Sequence, residues 1–368
     1  MDNDITAYVG LDVHKNSIAI AAAAPGRAAP RFLGTTGPAL AELLKALEHL
    51  GQPQQMLIAY EAGPCGYVLA RELARRSYRC EVIAVAKMPR KPGERVKTDR
   101  RDALTLARYL RAGELTPVNL PDARDEAIRD LSRAREDAVA ARLKARQQLK
   151  ALLLRHGRRY TGKTSWTQAH ERFLACLTFD HPAQDVTFAE YRSAVRDAHD
   201  RVERLTAALR DQVTGWRWAG VVNALTALRG IDFVAAVTLV AELGDLTRFP
   251  HPTRLMSYLG LVPSEYSTGE SRVQGKITKT GNGHVRRILI ESAWSYRYPA
   301  RMTHPLVVRN DGQPKAVRDI AWRAQLRLCS RYRRFTARGL PQNKICVAIA
   351  RELSAFIWDI ARHAPATG

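Results

Sequence analysis

Two short apolar runs in the first sixty residues constrain the fold most, because each stops on a carboxylate. Ile5-Thr6-Ala7-Tyr8-Val9-Gly10-Leu11-Asp12-Val13 reads as a strand ending on Asp12, and Met56-Leu57-Ile58-Ala59-Tyr60-Glu61 reads as another ending on Glu61. Between them, Ser17–Ala21 follows the turn-like His14-Lys15-Asn16, and Arg31–Gly34 is a plausible third strand of a meander. Leu40, Leu43, Leu44 and Leu47 then recur at helical spacing between Pro38 and Gly51. A helix from about Gly66 to Arg76 leads to the strand Cys80–Val85. The succession is three strands, then helix, strand, helix, strand and helix, which makes a mixed α/β layer with acids at two strand ends.

Two more acids stand in Lys97-Thr98-Asp99-Arg100-Arg101-Asp102-Ala103. Three residues apart at a helix start, Asp99 and Asp102 share one face. Alone, the pair is explained by a capped surface helix, with Thr98 or Asp99 as N-cap and Asp102 favoured by the helix dipole. Beside Asp12 and Glu61 it becomes half of a four-carboxylate cluster, because the element order is that of an RNase H-like domain, whose adjacent strand ends converge. Such a cluster repels itself unless a cation is present. Two divalent ions roughly 4 Å apart activate and stabilise oxygens in phosphoryl transfer, and hard oxygen ligands suit Mg²⁺. The surrounding Arg95, Lys97, Arg100 and Arg101 suit phosphate.

Charge narrows the partner. The chain carries 58 Lys plus Arg against 36 Asp plus Glu, a formal charge of +22, with Arg dominant. Bidentate phosphate recognition is the natural use of such a surplus, so nucleic acid leads. The basic residues are spread along the chain rather than gathered on one amphipathic helix, which argues against a membrane partner. Five scattered cysteines without CxxC spacing argue for a reducing compartment and against a structural zinc. No secretory signal and no apolar run of spanning length is legible.

From about Asp122 to Arg155, Ile128, Leu131, Arg135, Ala138, Arg142, Ala145 and Leu149 recur at threes and fours. Tyr191, Val195, Ala198, Val202, Leu205 and Leu209 give a second, near-heptad seam, so the two segments can pair as an antiparallel coiled coil or pack simply as helices. Gly157–Gln184 reads as a connecting insertion. Leu225–Asp232 followed by Ala235–Glu242 has the form of a helix-hairpin-helix element, although Asp232 stands where a second Gly is usual; a plain helix turn reads equally well. Beyond it, Gly260–Ser271 and Gly275–Arg287 set hydroxyls beside Gly and alternate Lys, Thr and Gly, which suits a loop meeting phosphate through Lys276, Lys279, Arg286 and Arg287; a solvated surface loop explains the composition as well. Arg297–Arg338 interleaves Arg with Tyr296, Tyr298, Trp322, Tyr332 and Phe335, the make-up of a surface for unpaired nucleic acid.

Tyr8-Val9-Gly10-Leu11-Asp12, Tyr60-Glu61-Ala62-Gly63 and Lys97–Ala103 resemble the DEDD motifs of RuvC-like transposases. Leu228-Arg229-Gly230-Ile231, Leu259-Gly260-Leu261-Val262-Pro263 and Lys276-Ile277-Thr278-Lys279-Thr280-Gly281-Asn282 resemble the second domain of the same IS110 group, and the longer middle insertion is similar to its IS1111 branch. The resemblance implies three regions: a RuvC-like catalytic domain (1–118), a helical coiled-coil middle (119–215) and a mainly helical C-terminal transposase domain (216–368). It implies a DNA transposase or recombinase that binds donor and target DNA, is guided by a structured bridge RNA, and acts as a homo-oligomer, dimer or tetramer, in the bacterial cytoplasm at the nucleoid. Asp12, Glu61, Asp99 and Asp102 match the family's metal-binding carboxylates, taken to hold Mg²⁺ in a two-metal arrangement. The family's serine nucleophile, in a Tyr-x-Ser-Gly context, falls on Thr268, with Ser267 just before it. A primary hydroxyl is the less hindered nucleophile, so Thr268 is favoured by position and Ser267 by chemistry. Two alternatives remain at this stage: a metal-dependent nuclease or junction resolvase without a covalent intermediate, and a non-catalytic nucleic-acid-binding protein.

Overall fold

The computed structural model describes residues 4–89, 98–269 and 271–364. Arg95 and Lys97 lie outside the described residues. The chain divides into two compact units, Met1–Leu120 and Pro121–Gly368.

The first unit runs β1 (Ala7–Val13), β2 (Ile18–Ala23), β3 (Arg31–Thr36), α1 (Leu40–Glu48), β4 (Met56–Glu61), α2 (Val68–Arg75), β5 (Arg79–Ile83) and α3 (Asp99–Arg111). Its sheet has the order β3-β2-β1-β4-β5. The meander β1-β2-β3 is antiparallel, and β4 and β5 run parallel to β1. Strand alternation gives the sheet two unlike faces. Val9, Leu11, Ile18, Ile20, Ile58 and Tyr60 pack with Leu43 and Leu47 of α1 and Ala70 and Leu73 of α2. The opposite face is lined by small residues: Ala19, Ala21 and Ala23 meet Ala103 and Ala107 of α3. Gly10 completes it, so the backbone of α3 rests directly against β1; a Cβ at position 10 would lie 2.4 Å from the Ala103 carbonyl oxygen.

The second unit runs α4 (Ala123–Arg155), α5 (Gln168–Ala175), α6 (Pro182–Thr214), α7 (Ala219–Leu225), α8 (Phe233–Leu243), α9 (Pro252–Tyr258), β6 (Pro263–Thr268), β7 (Ser271–Ile277), α10 (Gly283–Ala293), α11 (His304–Asn310), α12 (Lys315–Ala337) and α13 (Gln342–His363). α4 and α6 pair antiparallel within the chain: Arg135 Nε donates to Thr206 Oγ1 at 2.7 Å, and Arg142 Nη1 lies 3.4 Å from His199 Nδ1. The buried seam is Ala138, Ala145 and Leu149 against Val195, Val202 and Leu209. α6 starts at Pro182, well before the seam is legible; in its first turns Phe188 packs with Leu149 and Leu152 of α4 and Leu174 of α5. The insertion is not a plain connector: Thr167 caps α5, which packs Leu174 against Leu149, Leu152 and Phe188.

At the base of α4, Asp125 is 3% exposed. It accepts hydrogen bonds from the indole N–H of Trp216 (2.7 Å) and Trp218 (3.3 Å) and from Arg217. The main core gathers Leu225 and Leu228 with α8, α10, α12 and α13. Tyr296 and Tyr332, expected on a nucleic-acid surface, are instead 1% and 3% exposed and belong to this core. Helical spacing puts Tyr332 on the same face as buried Leu328, which composition alone conceals. No described helix is long and apolar enough to cross a membrane.

Candidate active site

Asp12 is the penultimate residue of β1, and the last parallel pair of β1 with β4 is Leu11 with Tyr60, so Asp12 and Glu61 follow on the next rung and share a sheet face. The small-residue face brings α3 down onto that end of the sheet. Thr98 is the N-cap of α3, accepting from the Arg101 amide, and Asp99 and Asp102 occupy the first turn. His14, two residues beyond Asp12, completes the geometry. Its Nε2 lies 3.2 Å from Asp12 Oδ2 and 3.6 Å from Asp99 Oδ1. Asp12, His14 and Asp99 each offer a ligand atom within 4.8 Å of the others. Glu61, on the neighbouring strand end, and Asp102, in the first turn of α3, stand outside that threesome.

The electrostatics fit a cation. Burial pushes the Asp12 carboxyl above the ordinary range; His14 pulls it down, while the charges of Asp102 and Asp99 push it further up. Crowded carboxylates of this kind are stabilised when a positive charge enters. The donor set, carboxylate oxygens with one imidazole, suits a hard divalent ion such as Mg²⁺ or Mn²⁺.

Of the basic residues expected around this site, Arg100 lies 5.4 Å over the Phe32 ring. In the second unit, Lys276 and Lys279 are exposed. Arg286 turns inward: its Nη1 donates to the carbonyls of Leu259 (3.0 Å) and Thr280 (2.9 Å). Arg287 pairs with Glu136 at 2.8 Å. The Thr280-Gly281-Asn282 stretch is accordingly a buckle. Gly281 has φ +71°, and a Cβ there would fall 1.9 Å from the Tyr258 carbonyl oxygen. Asn282 caps α10 and donates to Glu242 Oε2 at 2.6 Å. Asp232 caps α8, accepting from the Ala235 amide at 2.8 Å, so that helix start carries its own carboxylate.

Ser267 and Thr268 end β6, in an exposed two-stranded hairpin with β7. The hairpin replaces the loop expected here; both its faces are exposed, so no apolar alternation marks it in the sequence. Ser267 Oγ donates to Glu265 Oε1 at 2.8 Å, and Arg272 Nη2 donates to Glu265 Oε2 at 2.8 Å. Those two bonds, Arg272 first, hold the Glu265 carboxyl below the usual range. A hydroxyl bonded to a carboxylate that a third group orients is the arrangement of a nucleophile with its base. Thr268 points to the other strand face, opposite Ser271. Sequence reasoning missed His14 and Glu265, and one signal was available for both: each stands two residues from an expected site residue.

Comparisons with known proteins give two family matches and a set of relatives. Residues 9–157 match the family model of DEDD transposases of IS110 elements, described as Transposase, and residues 222–303 match one described as Transposase IS116/IS110/IS902 family. A protein named as transposase y4qE from Sinorhizobium fredii is 46% identical over 98% of this chain and 90% of its own length. The transposase for insertion sequence element IS1533 of Leptospira borgpetersenii is 29% identical over 89% of this chain and 95% of its own. The transposase for insertion sequence element IS1111A of Coxiella burnetii is 23% identical over 72% and 66%.

Proposed function

Since the chain belongs to the IS110 family of insertion-sequence transposases, whose activity is DNA cutting and strand transfer, we propose that it does this work with two chemistries on its two units. In the first unit, an RNase H-like sheet presents Asp12, Glu61, Asp99 and Asp102 to divalent cations of the Mg²⁺ type. Bound there, such ions neutralise the carboxylates and polarise phosphate oxygens. Asp12, with its side chain only 13% exposed, anchors the set, and His14 orients Asp12 and Asp99. Of the three regions, the helical one (119–215) holds the α4–α6 pair, and the C-terminal one (216–368) holds the hydroxyl hairpin. Ser267 or Thr268 attacks a DNA phosphorus: an Oγ–phosphorus bond forms, a phosphorus–oxygen bond of the DNA breaks, and the departing oxygen takes up a proton. For Ser267 the hydroxyl proton passes to Glu265. Donor and target DNA, a structured guide RNA and a homo-oligomer complete the reading.

The observation that carries it is the cluster of Asp12, His14 and Asp99, each with a ligand atom within 4.8 Å of the others, brought together from distant parts of the sequence by the small-residue face under α3. The test is adduct trapping. Full-length protein is incubated with DNA spanning the element's ends, its co-purified RNA and Mg²⁺, then denatured and resolved by size. One of Ser267→Ala and Thr268→Ala is expected to abolish the covalent protein–DNA band, and Asp12→Asn to abolish cutting while binding persists. If both hydroxyl variants form the band at wild-type level, neither residue is the nucleophile. Protein that carries no structured RNA would remove the guided reading.

A further inference from the structure

A cationic chamber lies at the far end of the α4–α6 pair, and neither site above uses it. Its volume is about 330 Å³, and its wall includes Arg146 from α4, Arg192, Arg196 and His199 from α6, and Trp166 and Glu171 from the insertion. Glu171 is the one carboxylate in that wall, 3.9 Å from Arg192. Arg142 stands at the rim against His199.

Arg146 is the central oddity. Its guanidinium stacks over Trp166, 4.7 Å from the ring centroid, and its Nε is closed off from solvent with no hydrogen-bond partner among the described residues. Lys150 Nζ lies 5.7 Å from the same ring. Trp166 has φ +67°, a left-handed conformation that is strained for a bulky residue. Its edge-on contact with His170, at 5.0 Å, and that of Tyr160 with His170, at 4.9 Å, hold it there. Burial, and then the charge of Arg142, lower the Arg146 pKa. Several guanidinium groups have thus been gathered into a half-buried space with one acid among them, which is unfavourable until an anion enters. Guanidinium forks match phosphate oxygens in pairs, and an aromatic platform that fixes one fork in advance lowers the entropy lost on binding.

We propose that this chamber binds a backbone phosphodiester of a nucleic acid, with Arg146, Arg192 and Arg196 as its anchors and Trp166 as the platform that holds Arg146 in place. The choice of a nucleic acid over a small anion rests on the transposase reading. The site then gives the insertion a role: to grip the backbone of RNA or DNA.

The test uses full-length protein and two labelled probes of one sequence, a single-stranded RNA and a duplex DNA, titrated by fluorescence anisotropy over a KCl series. The variant Arg192→Gln/Arg196→Gln is compared with Lys144→Gln/Arg201→Gln, which removes equal charge from exposed positions on the same helices outside the chamber wall. The chamber variant is expected to lose about tenfold in affinity, with a salt slope reduced by roughly 0.7 per lost contact on a single strand or 0.9 on duplex. A loss confined to one probe identifies which nucleic acid occupies the chamber. Trp166→Leu leaves every charge in place and is expected to weaken the same probe. Arg196→Gln alone, at an exposed position, keeps the test available if the double variant folds poorly. Chamber and control variants that bind alike on both probes overturn the proposal. If the wild type binds neither probe, the transposase reading falls with it. If the wild type binds and cuts while the chamber variants match the control, only this inference falls.

Discussion

A methyl group at position 10 would meet the Ala103 carbonyl oxygen at 2.4 Å and the Ala107 amide nitrogen at 2.5 Å, both backbone atoms that no rotamer change can move. Gly10→Ala must therefore lift α3 from the sheet, and α3 carries Asp99 and Asp102. The expected cost is about 1–3 kcal/mol of stability, the usual range for overpacking, together with weaker divalent binding. Thermal melts and Mn²⁺ calorimetry on one preparation check both; Mn²⁺ affinity unchanged in a destabilised Gly10→Ala would separate helix placement from the cluster. His14 gives a second prediction. An imidazole beside two carboxylates favours transition metals over Mg²⁺, so His14→Asn is expected to cost Mn²⁺ affinity about tenfold and Mg²⁺ affinity less. Mn²⁺ titrations followed by electron paramagnetic resonance, with Mg²⁺ in competition, measure the ratio, and equal losses for both ions would remove His14 from the ligand set. Asp12 and Glu61 were legible because each closes an apolar strand. His14 was not, since its second neighbour, Asp99, arrives only when α3 docks.

At the scale of elements, Glu242 shows how a loop sequence that invites a phosphate-binding reading serves as a fastener. It lies in the last turn of α8 with its side chain 1% exposed. Arg133 of α4 grips it through two bonds, at 2.6 and 2.9 Å, and Asn282 at the start of α10 supplies a third. Burial alone would raise its pKa, but the bonds from Arg133 and Asn282 and the charges of Arg133 and His284 outweigh that and lower it. A carboxyl with a depressed folded pKa stabilises the fold above its ordinary value of 4.5 and loses that contribution as pH falls through the folded value. Glu242→Gln is therefore expected to be less stable than wild type by about 1–3 kcal/mol at neutral pH, with the gap narrowing as pH falls below 4.5. Urea unfolding over a pH series reads this, and a gap independent of pH would deny the linkage. The long helices were legible from their periodicity, whereas α5, at eight residues, offered too few turns to show one. The β6–β7 hairpin buries neither face, so it left no pattern at all.

At the scale of the molecule, the two units have separate cores: one is a sheet between helices, the other a helical assembly in which Asp125 is held by Trp216, Arg217 and Trp218. Cores built from different contacts need not melt together, and multi-domain chains commonly depart from two-state unfolding. Asp125→Ala leaves two indole N–H groups and a guanidinium without their shared acceptor in a buried place. The expected cost is about 3–5 kcal/mol, as for breaking a buried charged contact, and it falls on the second unit. Gly10→Ala acts on the first. Scanning calorimetry of the full chain is expected to resolve two transitions, with Asp125→Ala lowering one and Gly10→Ala lowering the other. A single transition that both variants shift alike would mean that the two units unfold as one. The outcome also bears on the chemistry, because the carboxylates belong to the first unit and the Ser267–Thr268 hairpin to the second. If the units melt separately, a change that loosens the carboxylate cluster leaves the hairpin folded, and loss of cutting in Gly10→Ala can be assigned to metal binding rather than to global unfolding.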